Sequence, residues 1–177
     1  GRNAAGGLLT GLGNTALGYQ ALMFADGAEA RNTSVGTFAG RFCDGTDDCI
    51  AIGFGALSGV NPSYYSDGDT ANATKPSGNY NIAIGSYALD ATTSGHSNVA
   101  VGYQAGTAMT DNTDCIAIGR DAFLAANGGE LYNIAIGSYS LSSEVSGADG
   151  CIAIGYAALE DQNVAAANNV AIGFDAA

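Results

Sequence analysis

Residues Asn81–Leu89 read NIAIGSYAL, and residues Asn133–Leu141 read NIAIGSYSL. In looser spelling the same phrase runs through the chain: NTALGYQAL from Asn14, NTSVGTFAG from Asn32, CIAIGFGAL from Cys49, NVAVGYQAG from Asn98, CIAIGRDAF from Cys115, CIAIGYAAL from Cys151 and NVAIGFDAA from Asn169. A degenerate copy, NAAGG, begins at Asn3. Start-to-start spacings of 11, 18, 17, 32, 17, 17, 18, 18 and 18 residues make this ten-copy repeat the architecture itself. The gap of 32 reads as one repeat carrying an insertion loop over residues 58–80. Residues 1–177 form a single repeat domain. The chain starts without Met and stops inside a repeat, so we expect it to be part of something longer.

Counting the Asn or Cys as position 1, the residues I-A-I-G at positions 2 to 5 alternate large and small with the period of a strand. β-branched Ile and Val favour extended backbone, and the Gly at position 5 turns the chain into a corner. A second short segment such as SYAL reads as another strand. Asp, Asn, Ser and Gly clusters (CDGTDD, ATTSGHS, AANGGELY) then supply turns. One coil of 17 or 18 residues cannot bury its own apolar face, so coils must stack, about 4.8 Å apart. The expected fold is an all-β parallel solenoid of about ten coils, a rod about 48 Å long.

Stacking predicts two aliphatic ladders, Ile50 and Ile52 through Ile152 and Ile154, inside the solenoid. The opposite face, positions 1, 3 and 5, is small and uncharged in every copy, unlike an ordinary solvated sheet face. That face either packs on sister chains or reflects only tight corners. The first reading makes Asn81, Ala83, Asn98, Ala100, Ala117, Asn133, Ala135 and Ala153 a self-association surface, with Asn amides bonded in ladders. A threefold arrangement and a helical filament both satisfy it.

The phrase N-x-A-x-G with Ala three residues after the Gly, above all GNTALGYQAL at Gly13–Leu22, resembles the head repeats of trimeric autotransporter adhesins and related repeats of phage tail fibres. The resemblance implies a left-handed parallel β-roll, three chains side by side. It further implies an extracellular fibre, on a cell surface or a virion, that touches a host protein or glycan.

Composition narrows the partners. The chain is 47% apolar and 12% charged, with 27 Gly, two Pro and a net charge of −12 from only five Lys and Arg. Nucleic acid and anionic membrane surfaces need basic side chains, so neither is an expected partner. No apolar run reaches the roughly 20 residues that span a bilayer.

An enzymatic alternative exists. Ile84–Leu89 fits the hexapeptide pattern of left-handed β-helix acyltransferases, compact trimers with affinity for acyl-CoA. Each coil has only one such hexapeptide, and Asp90 and His96 fall where the next inward residues belong. The only His is His96, in a turn, so no His-based triad or metal cluster can form, and the expected role is not catalytic. No cofactor is expected. The acidic groups Asp44, Asp47, Asp48; Asp67, Asp69; and Asp111, Asp114 offer oxygen to Ca²⁺ but match no calcium-loop spacing, and read as turn caps.

Two further sites stand out. The insertion holds Tyr64, Tyr65 and the only lysine, Lys75, as candidate ligand-contacting residues, because loops carry function and tyrosines suit sugars or protein surfaces. Cys49, Cys115 and Cys151 occupy position 1 of non-adjacent coils and are expected as free thiols. Cys43 and Cys49 flank the turn DGTDD, and the spacing leaves a bridge between them open.

Overall fold

A computed structural model describes residues 1–7, 10–25, 28–59, 75–125, 128–143, 147–160 and 167–176. Among them are nine three-residue strands: β1 (Thr15–Leu17), β2 (Thr33–Val35), β3 (Ile50–Ile52), β4 (Ile82–Ile84), β5 (Val99–Val101), β6 (Ile116–Ile118), β7 (Ile134–Ile136), β8 (Ile152–Ile154) and β9 (Val170–Ile172). They form one parallel sheet in sequence order, one strand per coil. At the usual spacing the nine strands span about 38 Å. Each repeat pairs like on like: Ile82 with Val99, Ala83 with Ala100, Ile84 with Val101. The insertion does not disturb this register, since Ile50 pairs with Ile82 across the 32-residue gap. The degenerate copy at Asn3 makes a turn and no strand. Its backbone closes on the first coil through the Ala5 N–H to the Ala21 carbonyl at 2.8 Å.

The ladders are in the expected register but on the opposite face. Ala83, Ala100, Ala117, Ala135 and Ala153 at position 3 are fully buried, as are Asn81, Asn98 and Asn133 at position 1. Ile52, Ile84 and Ile118 at position 4 are 36–37% exposed. The self-association surface read from the sequence is therefore the interior. The reason is width: the space behind the strand is shared with the facing Ala at position 8 and Leu at position 9, buried in most coils (Ala88 and Leu89, Ala158 and Leu159). A small residue at position 3 leaves room for those buried side chains, as Ser34 lies where a side chain on Gly40 at position 9 would go, and Ile at position 3 would overpack the space. Where position 9 is Gly, another side chain fills the room. Met109 is fully buried and its sulfur lies where a side chain on Gly106 would go.

The second strand expected at SYAL does not form. Positions 7 and 9 have positive φ, as in Tyr87 (61°) and Leu89 (50°), and so does the residue before position 1, as in Tyr80 (63°) and Ser97 (60°). Each still donates its N–H to a neighbouring coil: Tyr87 to Phe54 O of the coil before, Leu89 to Ala105 O of the coil after. The Gly at position 5 lies at φ from 129° to 143°, where L residues are strained, and a Cβ on Gly85 would overlap the carbonyl oxygen of Gly102. Nothing but Gly fits that corner.

Position 1 fastens coil to coil. The Asn98 Oδ1 accepts the N–H of Cys115 at 3.0 Å while its Nδ2 donates to the carbonyl of Asn112 at 2.7 Å. Asn81 does the same toward Asn98 N–H and Gly95 O, and Asn133 toward Cys151 N–H and Ala148 O. The expected amide ladders thus exist as Asn-to-backbone bridges, not Asn-to-Asn contacts.

Two substitutions test this interior. Asn98→Ala orphans a buried N–H and a buried carbonyl and should cost about 2–5 kcal/mol in urea unfolding, whereas Asn98→Cys should cost about half as much or less. Ala117→Glu should fail to give the folded circular dichroism spectrum; a folded but dissociated Ala117→Glu would put position 3 back on the outside.

Candidate functional site: an exposed aliphatic face and its flanking corners

Positions 2 and 4 of the nine strands present sixteen Ile, Val or Leu side chains, with Thr15 and Thr33, on one flat face without a charge. All are partly or well exposed, rising to 63–68% for Leu17, Val170 and Ile172 in the end coils. Monomeric proteins rarely leave so long an apolar strip in water.

Both edges of the strip carry ladders. After the Gly corner runs an aromatic series, Tyr19–Phe38–Phe54–Tyr87–Tyr103, with ring centroids 5.3–6.4 Å apart and steeply inclined planes. The angles follow from the sequence. Tyr19, Phe54 and Tyr103 directly follow the Gly, while Phe38 and Tyr87 come one residue later, so successive rings meet edge to face. Tyr156 and Phe174 both follow the Gly directly and stack nearly parallel, at 11°. Arg120 replaces an aromatic and lays its guanidinium 4.7 Å from the centre of Tyr139. An aromatic at one of the two residues after nearly every Gly is a periodic signal that our sequence reading did not use.

On the other edge the residues before position 1 stack in turn: Arg31, Asp48, Tyr80, Ser97, Asp114 and Tyr132. Arg31 grips Asp48 with two hydrogen bonds of 2.6 and 2.8 Å. That contact holds the Asp48 carboxyl below its ordinary pKa and raises the guanidinium's. Tyr80 and Tyr132 are 60–61% exposed.

The other sequence-derived sites fall out as follows. Tyr64 and Tyr65, with Asp67 and Asp69, lie outside the described residues. Lys75 is committed, its Nζ 2.7 Å from Asp44 Oδ2. Asp47 caps the preceding coil by accepting the Ala30 N–H at 2.7 Å, and Asp149 does likewise for Leu131. Among the described residues no group of three or more His, Cys, Asp or Glu is arranged to hold a metal ion, and no helix is long and apolar enough to cross a membrane.

All four cysteines are free and buried, so Cys43 and Cys49 are not bridged. Each thiol has its own partner. Cys43 donates to the Leu57 carbonyl, and Cys49 reaches the Gly78 carbonyl at 3.4 Å while its sulfur accepts the Asn81 N–H. The Cys49 and Cys115 thiols thereby play the part that Asn plays in other coils; Cys115 reaches the Glu130 carbonyl at 3.5 Å. Burial pushes both thiols up to about 11, against the pull of backbone N–H donors, and raises Cys43 as well. Compared against known proteins, the chain matches no protein family, no curated protein and no solved structure.

The raised thiols give a pH signature. Cysteine ionises near 9.0 in the unfolded chain and near 11 as folded Cys115, so between these values the unfolded chain sheds a proton that the folded chain keeps. Stability from this group is complete below pH 9 and falls as pH rises through the window. Urea midpoints of wild type and Cys115→Asn should therefore run parallel up to pH 8.5 and diverge by pH 10.5, with wild type the lower. Parallel curves throughout would mean an exposed thiol.

Proposed function

We propose that this chain is a non-enzymatic, self-associating rod, a fibre component used for adhesion or host recognition outside the cell. The observation that carries the reading is the uncharged aliphatic face, repeated in nine coils and left in water by the single chain. The three-residue strands make a strip ~38 Å long and ~10 Å wide, on the order of 400 Å², about half of what each partner gives to an interface of standard size. Its period is the coil rise, and the partner that matches such a period along the whole strip is another copy lying parallel and in step. The aromatic row after the Gly corner would extend the contact. Three copies about a common axis bury all three strips with none left over, which agrees with the resemblance to trimeric adhesin heads and phage fibre repeats.

The turns, which carry the acidic residues, would then face outward and supply contact with a host protein or glycan. His96 supports the non-catalytic reading: it is exposed and its ring nitrogen lies 3.4 Å from Ser97 Oγ, with no carboxylate partner among the described residues.

Sedimentation tests the assembly. Wild type should run as an oligomer at micromolar concentration. Ile84→Glu with Ile118→Glu should give single chains with an unchanged circular dichroism spectrum, because unpaired charges would be buried only between copies. A wild type that is monomeric at every concentration would remove the fibre reading.

A further inference from the structure

Where the insertion rejoins the rod, two successive turns enclose a groove of about 430 Å³ lined by Ser77, Gly78, Asn79 and Tyr80 from one coil and Ser94 and His96 from the next. That volume lies in the range of small-molecule sites. The floor is low because Gly78 sits directly on the backbone of Gly95, and a Cβ at Gly78 would overlap the Gly95 carbonyl. The walls carry polar groups that no other described residue uses. Asn79 spends its Oδ1 on the N–H of Asp47, at 2.8 Å, and its amide NH₂ makes no hydrogen bond among the described residues. The Ser94 hydroxyl makes none either, and His96 keeps Nε2 uncommitted, its Nδ1 having only the 3.4 Å contact to Ser97. Tyr80 is 60% exposed, and among the described residues no ring stacks on it, unlike the paired aromatics of the corner ladder.

We propose that this groove binds a neutral pyranose, the apolar face of the sugar lying on the Tyr80 ring and its hydroxyls meeting Asn79 Nδ2, Ser94 Oγ and His96 Nε2. One aromatic face beside several uncommitted donors and acceptors, with no charged side chain among the described lining residues, suits a polyhydroxylated neutral ring. An acidic sugar is disfavoured by a net charge of −12 and by a neighbouring lysine already paired with Asp44. This inference gives the recognition role proposed above its ligand class and rests on that reading for its purpose, though not for its chemistry.

Saturation-transfer NMR on the whole chain tests it, with methyl β-galactopyranoside, methyl β-glucopyranoside, methyl α-mannopyranoside and lactose as probes and sialyllactose as the acidic comparison. At least one neutral probe should show transfer to its ring CH protons, stronger than that of sialyllactose. Tyr80→Ala should reduce the transfer about tenfold and Tyr80→Phe should retain most of it, since the ring face is what the sugar touches. Tyr132→Ala, an equally exposed tyrosine at the same corner of a later coil, should change nothing. No transfer to any neutral probe, or equal transfer in wild type and a folded Tyr80→Ala, would overturn the proposal. Sedimentation of the same samples separates the two readings. Sugar contact in a monomer keeps the groove and removes the fibre, and an oligomer without sugar contact does the reverse.

Discussion

The interior of each coil is one alanine deep on the strand side, and that width governs the rest of the molecule. With Ala at position 3 sharing the interior with the buried residues of positions 8 and 9, the side chains of Ile at positions 2 and 4 have no room inside and stand outward. A protein that buried its largest aliphatic residues in its own core would be a sufficient monomer. This one places them on a surface strip, and the hydrophobic stabilisation they offer is realised only when something covers them.

A core of Ala and Leu this thin leaves specificity to hydrogen bonds. The backbone accepts left-handed conformations at two or three non-glycine corners in each strand-bearing coil, each costing about 1 kcal/mol or more in isolation. Those corners persist because each donates its N–H to a neighbouring coil, and because Asn or Cys at position 1 ties a coil to both the strand entry and the turn of the next. The bonds from these left-handed corners all run between coils. A coil without neighbours has the strain and none of the compensation, so stability belongs to the stack.

The repeat, its register and the solenoid were legible in the sequence because strict spacing and the fixed Gly leave few alternatives. The tolerance of the 32-residue gap was legible too, since Ile50 meets Ile82. Which face points inward was not. Alternation separates Ile82 and Ile84 from Asn81 and Ala83 but does not say which pair faces the core. The usual rule, large apolar side chains inside, fails when the coil is too narrow to hold them. The same narrowness hid the role of the cysteines. Cys49 and Cys115 stand where Asn stands because a thiol can both donate and accept at that point, a backbone geometry that spacing does not reveal. The corner at SYAL looked like a strand because its left-handed φ values fall on Tyr87 and Leu89, residues that rarely adopt them.

Oxidative cross-linking of single cysteine substitutions tests the central claim, that position 3 is inside each chain and position 4 lies between chains. Under mild oxidation of the folded protein, Ile118→Cys should yield covalent dimers, because equivalent positions of in-step parallel copies come close together. Ala117→Cys, one residue away, should yield none until the chain is unfolded. Covalent dimers from Ala117→Cys with none from Ile118→Cys would contradict the account and turn the coil inside out.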